Sequence, residues 1–222
     1  MKTVTTAALR QRLPTRSFRV LLFLSLLASH LLTGCSRGPA PIRPPAYDAA
    51  TAASEAMEVY DADTDGHLDK SELAQCPGIL KSLNKFDANG DGQVSEGEIV
   101  ARIEQWRTSH VGIQQVSFRV TLNGKPLRNG AVTLEPEPFL QDIIHDAKGV
   151  IGSTGMASPS VAAEHLPEGV RQGLRCGIYK LRITHPEEEI PPRYNSNTEL
   201  GLEIGPDLNI YNPPSFELRS KK

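Results

Sequence analysis

The chain lacks the features that mark several specialised classes of protein. Its 222 residues hold 24 Lys and Arg against 26 Asp and Glu, so the formal net charge is only −2. The absence of an excess of either sign excludes a basic nucleic-acid-binding protein and an acidic disordered tail, and we expect no nucleic-acid partner. The length allows one or two small domains.

Recurring catalytic motifs are also absent. The sequence contains no H-E-x-x-H, C-x-x-C or G-x-S-x-G pattern, and these patterns mark zinc proteases, metal or redox sites and serine hydrolases. His145, His165 and His185 each stand alone in polar surroundings, which is typical of surface or loop residues. The acidic run Glu187–Glu189 is expected to form a solvated turn. We therefore predict that the chain is not an enzyme.

The small net charge results from a cancellation along the chain. Residues 1–34 hold five bases and no acid, whereas residues 61–98 hold nine acids against three bases. Residues 99–222 are balanced, with 14 of each sign. The chain therefore has three parts of different charge: a basic leader, an acidic block and a neutral remainder.

The leader is typical of export. Its apolar run, Val20 to Leu32, is too short and interrupted to predict a membrane-spanning helix and instead predicts the core of a signal peptide. The run ends in Leu32-Thr33-Gly34-Cys35, which resembles the bacterial lipobox. The resemblance implies cleavage before Cys35 and attachment of diacylglycerol to its thiol, so that the new N-terminal residue carries acyl chains such as palmitate. The alternative is an ordinary secretory signal with a chance cysteine. We expect an exported protein, lipid-anchored on the periplasmic or cell-surface side of the bacterial envelope.

The acidic block contains two 12-residue segments with the spacing of a calcium-binding loop. Oxygen atoms at positions 1, 3 and 5 surround one side of a hard cation, and a glutamate at position 12 closes the other side. Position 6 is glycine in both segments, as the sharp turn requires. The predicted ligands of the first loop are Asp61, Asp63, Asp65, His67, Asp69 and Glu72. Those of the second loop are Asp87, Asn89, Asp91, Gln93, Ser95 and Glu98.

Both segments resemble the EF-hand loop at every diagnostic position, and we predict that they bind two calcium ions. Position 7 donates a backbone carbonyl oxygen, so the imidazole of His67 is not expected to be a ligand. Apolar residues at position 8, Leu68 and Val94, are expected to pair through a short antiparallel bridge. Flanking apolar residues predict helices at about 49–60, 79–86 and 98–107.

The spacing between the loops favours a constitutive calcium site over a sensor. Only residues 73–86 separate them, so the helix that leaves the first loop is expected to be about one turn long. Sensor pairs open to expose a methionine-rich groove, and Met57 is the only methionine between the tether and Trp106. Crowded carboxylates repel without metal, so folding and calcium binding are expected to be coupled.

From Gln115 the apolar period becomes alternating, which predicts β-strands. The candidate strands are Val116–Leu122, Ala131–Glu135, Gly149–Ser153, Met156–Val161, Ile178–Thr184, Leu200–Ile204 and Ser215–Arg219. Phe139–Ala147 is a candidate helical insertion. The fold class expected is α+β multidomain, with an EF-hand helix-loop-helix pair followed by an antiparallel β-sandwich of about seven strands. Cys76 and Cys176 could form a disulfide or could be two buried thiols, and the sequence leaves both alternatives open.

The segments LNGKPLRNGAVTLEP (Leu122–Pro136) and CGIYKLRI (Cys176–Ile183) resemble the carboxypeptidase-regulatory-like, or transthyretin-like, module. The later segments IPPRYN, ELGLEI and SFELRS resemble a group of bacterial lipoproteins, some with EF-hands ahead of the sandwich. The resemblance implies a fold and a cell-surface setting, not a reaction. The predicted organisation is a signal peptide (1–34), a Pro-rich tether (35–48), an EF-hand pair (49–107), a linker (108–114) and a transthyretin-like sandwich (115–222).

These observations predict a calcium-binding, lipid-anchored envelope protein that acts as a non-enzymatic binding or structural module. Its partners would be the membrane, through the lipid anchor, and an unidentified protein or glycan. Two alternatives remain open. The EF-hand pair could itself be a calcium-dependent docking module, similar to dockerins. A weak transthyretin-like hydrolase would need clustered His and Arg residues, for which Arg175, Arg182 and His185 are the candidates.

Overall fold

The computed structural model describes residues 41–209 and 211–220. The predicted signal peptide, Cys35 and the start of the tether lie outside the described residues. The described residues belong to one compact unit. Within the described part of the chain, no helix is both long enough and apolar enough to cross a membrane.

The helices lie in the first third of the described residues, close to where the sequence predicts them. The predicted helix at 49–60 is confirmed as α1, Ala49–Tyr60. It begins where the Asp48 side chain accepts a hydrogen bond from the Thr51 amide at 3.1 Å, and Ala52, Ala53 and Ala56 are buried on one face. The helical elements that follow are α2 (Lys70–Leu73), α3 (Pro77–Lys81), α4 (Leu83–Phe86) and α5 (Glu96–Thr108).

The short exit helix of the first loop is confirmed, because α2 has four residues. The helix predicted at 79–86 is divided at Ser82 into α3 and α4. Proline at the first helical position starts α3 two residues earlier than expected, since proline is compatible with that position. The last helix, predicted at 98–107, is confirmed as α5. It begins at Glu96, two residues earlier than predicted, because Ser95 and Glu98 form a capping box.

Eleven strands are present among the described residues, two of them in the calcium-loop region. These two are β1 (His67–Leu68) and β2 (Val94–Ser95). The remaining strands are β3 (Phe118–Leu122), β4 (Lys125–Pro126), β5 (Ala131–Pro136), β6 (Ala147–Val150), β7 (Met156–Ala157), β8 (Ser160–Val161), β9 (Gly177–Thr184), β10 (Gly201–Ile204) and β11 (Ser215–Leu218).

The later strands form two sheets. One has five antiparallel strands in the order β10-β9-β5-β6-β8, and the other has the order β11-β3-β4, with β7 also paired to β3. Phe118–Phe216 ring packing lies between β3 and β11. These two strands run parallel, so the expectation of an entirely antiparallel arrangement is wrong at this pair. A parallel pair needs a long crossover connection, and nearly 100 residues separate β3 from β11.

Other details differ from the sequence prediction, among them the strand predicted at Gly149–Ser153, which is β6 at Ala147–Val150. The single strand predicted at Met156–Val161 is two short strands, β7 and β8, which belong to different sheets. The helical insertion predicted at Phe139–Ala147 is wrong: it is a single 3₁₀ turn, Pro138–Leu140, followed by turns, with Ala147 beginning β6. Buried Phe139, Leu140 and Ile144 gave this segment its helical spacing, but they point from an irregular loop into the core.

Helices and strands share one hydrophobic core. The backbones of α3 and β10 approach closely, because a Cβ atom on Gly201 would overlap the backbone nitrogen of Gly78. A Cβ on Gly78 would likewise overlap the Ile178 side chain. Only glycine allows the two backbones to pack at this distance, so the pair fixes the calcium-loop region directly against the five-stranded sheet.

The end of the predicted tether is also packed. Tyr47 is buried, donates a hydrogen bond of 2.6 Å to the carbonyl oxygen of Cys176 and packs edge-on against Trp106. Arg175 donates hydrogen bonds to the carbonyl oxygens of Arg43 and Gly112. Residues 43–47 are therefore held on the folded unit rather than forming a free spacer.

Candidate metal centre

The first loop brings its acidic side chains together. One carboxylate oxygen from each of Asp61, Asp63 and Asp65 lies within 4.8 Å of the others. Asp61 accepts hydrogen bonds from the backbone amides of Asp65 at 3.2 Å and Gly66 at 3.0 Å. Gly66 has a φ of +88°, a conformation that is costly for other residues. The chain therefore turns around the point at which the carboxylates converge.

Glu72, the twelfth residue, closes this loop. Its Oε1 accepts a hydrogen bond from the Ala62 amide at 2.7 Å, and its Oε2 accepts one from the Asp69 amide at 2.9 Å. Asp69 in turn accepts hydrogen bonds from the amides of Ser71 and Glu72, which completes a capping box for α2. One carboxylate thus joins the two ends of the loop.

The second loop repeats this arrangement. Asp87 accepts hydrogen bonds from the amides of Asp91 at 3.1 Å and Gly92 at 2.9 Å, and Gly92 has a φ of +85°. The Oε1 of Glu98 accepts a hydrogen bond from the Ala88 amide at 3.0 Å. Because the same contacts recur at the same loop positions, the two segments have the same local fold.

The two loops are joined back to back. β1 and β2 pair in antiparallel register, with Leu68 opposite Val94 and His67 opposite Ser95. Leu68 and Val94 are fully buried. The predicted bridge between the position-8 residues is therefore confirmed, and each loop supports the other.

The electrostatics of the loops differ. The backbone hydrogen bond from Asp65 lowers the pKa of Asp63, but desolvation and the neighbouring carboxylates raise the pKa above its ordinary 3.8. Hydrogen bonds from Gln93 and Asn89 hold the pKa of Asp91 below 3.8. An amide replaces a carboxylate at position 3 of the second loop, so repulsion is strongest in the first loop. A bound divalent cation would relieve it.

The chemistry of these residues fits calcium. Every predicted side-chain donor is an oxygen from a carboxylate, an amide or a hydroxyl group, and hard cations prefer oxygen ligands. The imidazole of His67 has no hydrogen bond within the described residues, whereas its backbone N–H donates a hydrogen bond of 2.8 Å to the Asp65 carboxylate. The side chains that would hold an ion are those of Asp61, Asp63, Asp65, Asp69, Glu72, Asp87, Asn89, Asp91, Ser95 and Glu98, together with the backbone at His67 and Gln93.

A buried carboxylate holds the start of the first loop against the strands. Glu137, just after β5, is fully buried and accepts a hydrogen bond of 2.6 Å from the Tyr60 hydroxyl. Lys180 of β9 lies 3.2 Å from the same oxygen. Burial raises the pKa of Glu137, although Tyr60, Lys180 and the neighbouring Cys76 thiol lower it. Tyr60 directly precedes Asp61, so this contact reaches the loop itself.

A second buried cluster holds the helix that leaves the second loop. Arg102 of α5 lies 2.6 Å from the Glu203 carboxylate of β10 and 2.7 Å from Asp207. The indole nitrogen of Trp106 donates a hydrogen bond of 3.0 Å to Glu203, and Lys85 is 3.0 Å from its other oxygen. The cluster neutralises a carboxylate that is completely buried.

Sequence reasoning missed Glu137, Glu203 and their cationic partners. Glu203 lies in the segment ELGLEI, where alternation places it opposite the apolar residues, so a solvent-facing position is expected. The structure buries every residue of β10, because α3 packs against this strand and Arg102 and Trp106 of α5 bind Glu203. The only local signal was a charged residue within a short apolar strand.

The residues considered for a hydrolase have separate structural partners. Arg182 bonds to Glu135 at 2.6 Å and to the carbonyl oxygen of Asn195. His185 accepts hydrogen bonds from two following backbone amides and contacts the Arg128 carbonyl oxygen at 2.6 Å. Arg175 instead holds residues 43 and 112. Cys76 and Cys176 are buried free thiols, so the structure contains no disulfide between them.

Comparison with known proteins agrees with the loop geometry. The family model described as EF hand matches residues 55–77 and 80–101. No curated protein and no solved structure matches the chain. The chain contains an EF-hand element at residues 55–101 followed by a β-rich region with several antiparallel pairings, and this element indicates calcium binding.

Proposed function

We propose that the protein is an exported, lipid-anchored component of the bacterial cell envelope that binds two calcium ions and serves as a structural or binding module rather than an enzyme. The observation that carries the proposal is the pair of complete loops, joined back to back and anchored to the β-rich region. Each loop would hold one ion, because each brings its own position-12 glutamate to the amide that follows its first aspartate.

Calcium would act as a permanent lock in this protein. Opening of a sensor EF-hand requires the helices to swing apart. Here α1 is held by the Tyr60–Glu137 contact and α5 by the Arg102–Glu203 contact, and both carboxylates are fully buried. Movement of either helix away from the strands would leave a buried carboxylate without its partner, which is energetically costly. We therefore infer that bound calcium stabilises one arrangement instead of switching between two.

The lipid anchor rests on the sequence Leu32-Thr33-Gly34-Cys35, which lies outside the described residues. An N-terminal acyl group would hold the folded unit at the membrane through the residues that precede Arg43. In this arrangement few residues would separate the lipid anchor from the calcium-binding part, whose core includes Tyr47. The strands would form a transthyretin-like sandwich that presents a binding surface for a protein or glycan.

A dockerin-like role for the EF-hand pair is the alternative. It would use the solvent-facing sides of α1 and α5, because their inner faces contact each other and the β-rich region. A pull-down from envelope extract with and without a calcium chelator separates the two roles. A partner captured by the full chain only when calcium is present, and lost after Asp61→Ala with Asp87→Ala, would favour docking by the loops.

Isothermal titration calorimetry of the full chain with calcium tests the proposal. The expected stoichiometry is two ions for the wild type, one for Asp61→Ala or Asp87→Ala, and none for the double variant. Asp142→Asn, an exposed acidic residue away from the loops, is the control and should keep both ions. Absence of calcium uptake by the wild type at millimolar calcium, or loss of both ions in the control, would refute the proposal.

A further inference from the structure

Two histidines that are isolated in the sequence meet in the structure. The rings of His145 and His165 are stacked, with their centroids 3.6 Å apart and their planes inclined by 24°. No hydrogen bond joins either ring to the described residues, so the ring nitrogens are available to a ligand. Both side chains line an open cleft of about 620 Å³ beside the five-stranded sheet.

The sheet register places this pair. β6 and β8 are antiparallel, with Ala147 opposite Val161 and Lys148 opposite Ser160. His145 stands just before β6, and His165 ends the 3₁₀ turn Ala163–His165 just after β8. The two rings therefore project from adjacent ends of the same ladder.

The supports of both histidines are rigid. Ile144 and Ala147, on either side of His145, are almost completely buried, and so is Val161. A hydrogen bond of 2.9 Å from the His165 amide to the Ala162 carbonyl oxygen closes the turn. Both side chains are exposed while the backbone around them is packed, so only the rings have to rotate out of the stack to turn one nitrogen of each toward a shared ion.

We propose that His145 and His165 form a binding site for a borderline divalent transition-metal ion such as zinc. Neutral imidazole is the commonest protein ligand for such ions. Calcium, which prefers oxygen ligands, would remain in the EF-hand loops. The two metal classes would thus occupy different parts of the chain.

The remaining ligands would come from water and from the cleft. Within the described residues no third His, Cys, Asp or Glu ligand atom lies within 4.8 Å of both histidines. Glu135 lines the cleft but is already paired with Arg182 at 2.6 Å. The Asp146 carboxylate lines the same cleft and adds negative charge there. Open coordination positions are typical of sites that exchange ligands.

The test is a zinc titration of the full chain in saturating calcium, which keeps zinc from the EF-hand loops. We expect one zinc ion per chain and at least about a tenfold loss of affinity in His145→Ala and in His165→Ala. His110→Asn is the matched control, since it removes one exposed histidine elsewhere and asparagine tolerates the positive φ of that position. It should bind zinc as the wild type does.

A second measurement does not depend on the variants. In ¹H–¹⁵N spectra of the histidine rings of the wild type, zinc should shift the signals of His145 and His165 together at one equivalent, with His185 unchanged. The proposal is wrong if zinc shifts neither ring or only one of the pair. Unaltered zinc affinity in both alanine variants would also overturn it.

Discussion

The Tyr60 hydroxyl donates a hydrogen bond of 2.6 Å to the buried carboxylate of Glu137, which lies 77 residues further along the chain. Tyr60 is the last residue of α1, and Asp61 begins the first loop in the next position. A single contact therefore links the position of a predicted metal ligand to the β-rich region.

Tyr60→Phe should destabilise the protein by about 1–3 kcal/mol, because it removes a hydrogen-bond donor from a buried carboxylate. The free energy of unfolding, measured in urea at saturating calcium, checks this. Tyr211→Phe is the matched control, since Tyr211 is 93% exposed, and its effect should stay below about 0.5 kcal/mol. Equal effects of the two substitutions would contradict the role given to Tyr60.

The Glu137 carboxyl should produce a pH dependence of stability. Burial raises its pKa above the ordinary 4.5, and the opposing effects of Tyr60 and Lys180 do not cancel this. Stability from a carboxyl with a raised folded-state pKa is fully present below the unfolded-state pKa and is lost as the pH rises through the folded-state value. The free energy of unfolding of the wild type relative to Glu137→Gln should therefore fall as the pH rises from below 4.5.

This difference is measured by urea unfolding of both proteins over a pH series at saturating calcium. The carboxylates of the loops titrate in both proteins and largely cancel in the difference. A difference that stays flat, or that rises with pH, would show that Glu137 does not have a raised pKa.

Arg102→Met should cost about 3–5 kcal/mol, because it leaves the buried Glu203 carboxylate without its closest cation. Arg107→Met on the same helix is the control. Arg107 pairs with Glu104 at the surface, and exposed pairs contribute less than about 1 kcal/mol. Urea unfolding of both variants checks the contrast. Adding Glu203→Gln to Arg102→Met should restore part of the stability; no recovery would argue against a charge-specific effect.

Gly201→Ala should destabilise the protein by about 1–3 kcal/mol, because its Cβ would overlap the backbone of Gly78. Gly97→Ala provides the control, since a Cβ there meets nothing within 4 Å and alanine is the better helix former. This second change should leave stability unchanged or raise it by up to about 1 kcal/mol. Thermal unfolding distinguishes the two, and a neutral Gly201→Ala would mean that α3 and β10 can move apart cheaply.

Cys35→Ser should release the protein from the membrane fraction of the cell. In the proposed anchor the Cys35 sulfur binds diacylglycerol through a thioether, and serine has no sulfur with which to form this bond. Palmitate labelling and fractionation check the prediction, with Cys76→Ser as the control because that thiol is buried. Labelled or membrane-bound Cys35→Ser protein would contradict the lipid anchor.

The loops could be predicted from the sequence because their geometry is local. The carboxylates of each loop accept hydrogen bonds from backbone amides of the same 12-residue segment. Residue type and spacing therefore determine which amides they bind. The pairing of Leu68 with Val94 follows for the same reason. The one-turn exit helix, α2, follows from the short distance along the chain between the loops.

The contacts that join the loops to the strands could not be predicted in this way. Arg102 and Glu203 are 101 residues apart, and nothing in either local pattern indicates a partner. The parallel pairing of β3 with β11 also depends on distant segments. The stacking of His145 on His165 required the register of β6 and β8, which the sequence prediction assigned to longer strands with different ends.

Urea unfolding with and without calcium, followed by the fluorescence of Trp106, tests most directly whether calcium locks the folded unit. Trp106 is the single tryptophan and contacts both Phe86 and Glu203. At a free calcium concentration 100 times the dissociation constant, each ion should stabilise the wild type by about 2.7 kcal/mol. The midpoint should then rise for the wild type and stay unchanged for Asp61→Ala with Asp87→Ala. Equal midpoints for the wild type with calcium and with chelator would contradict the lock.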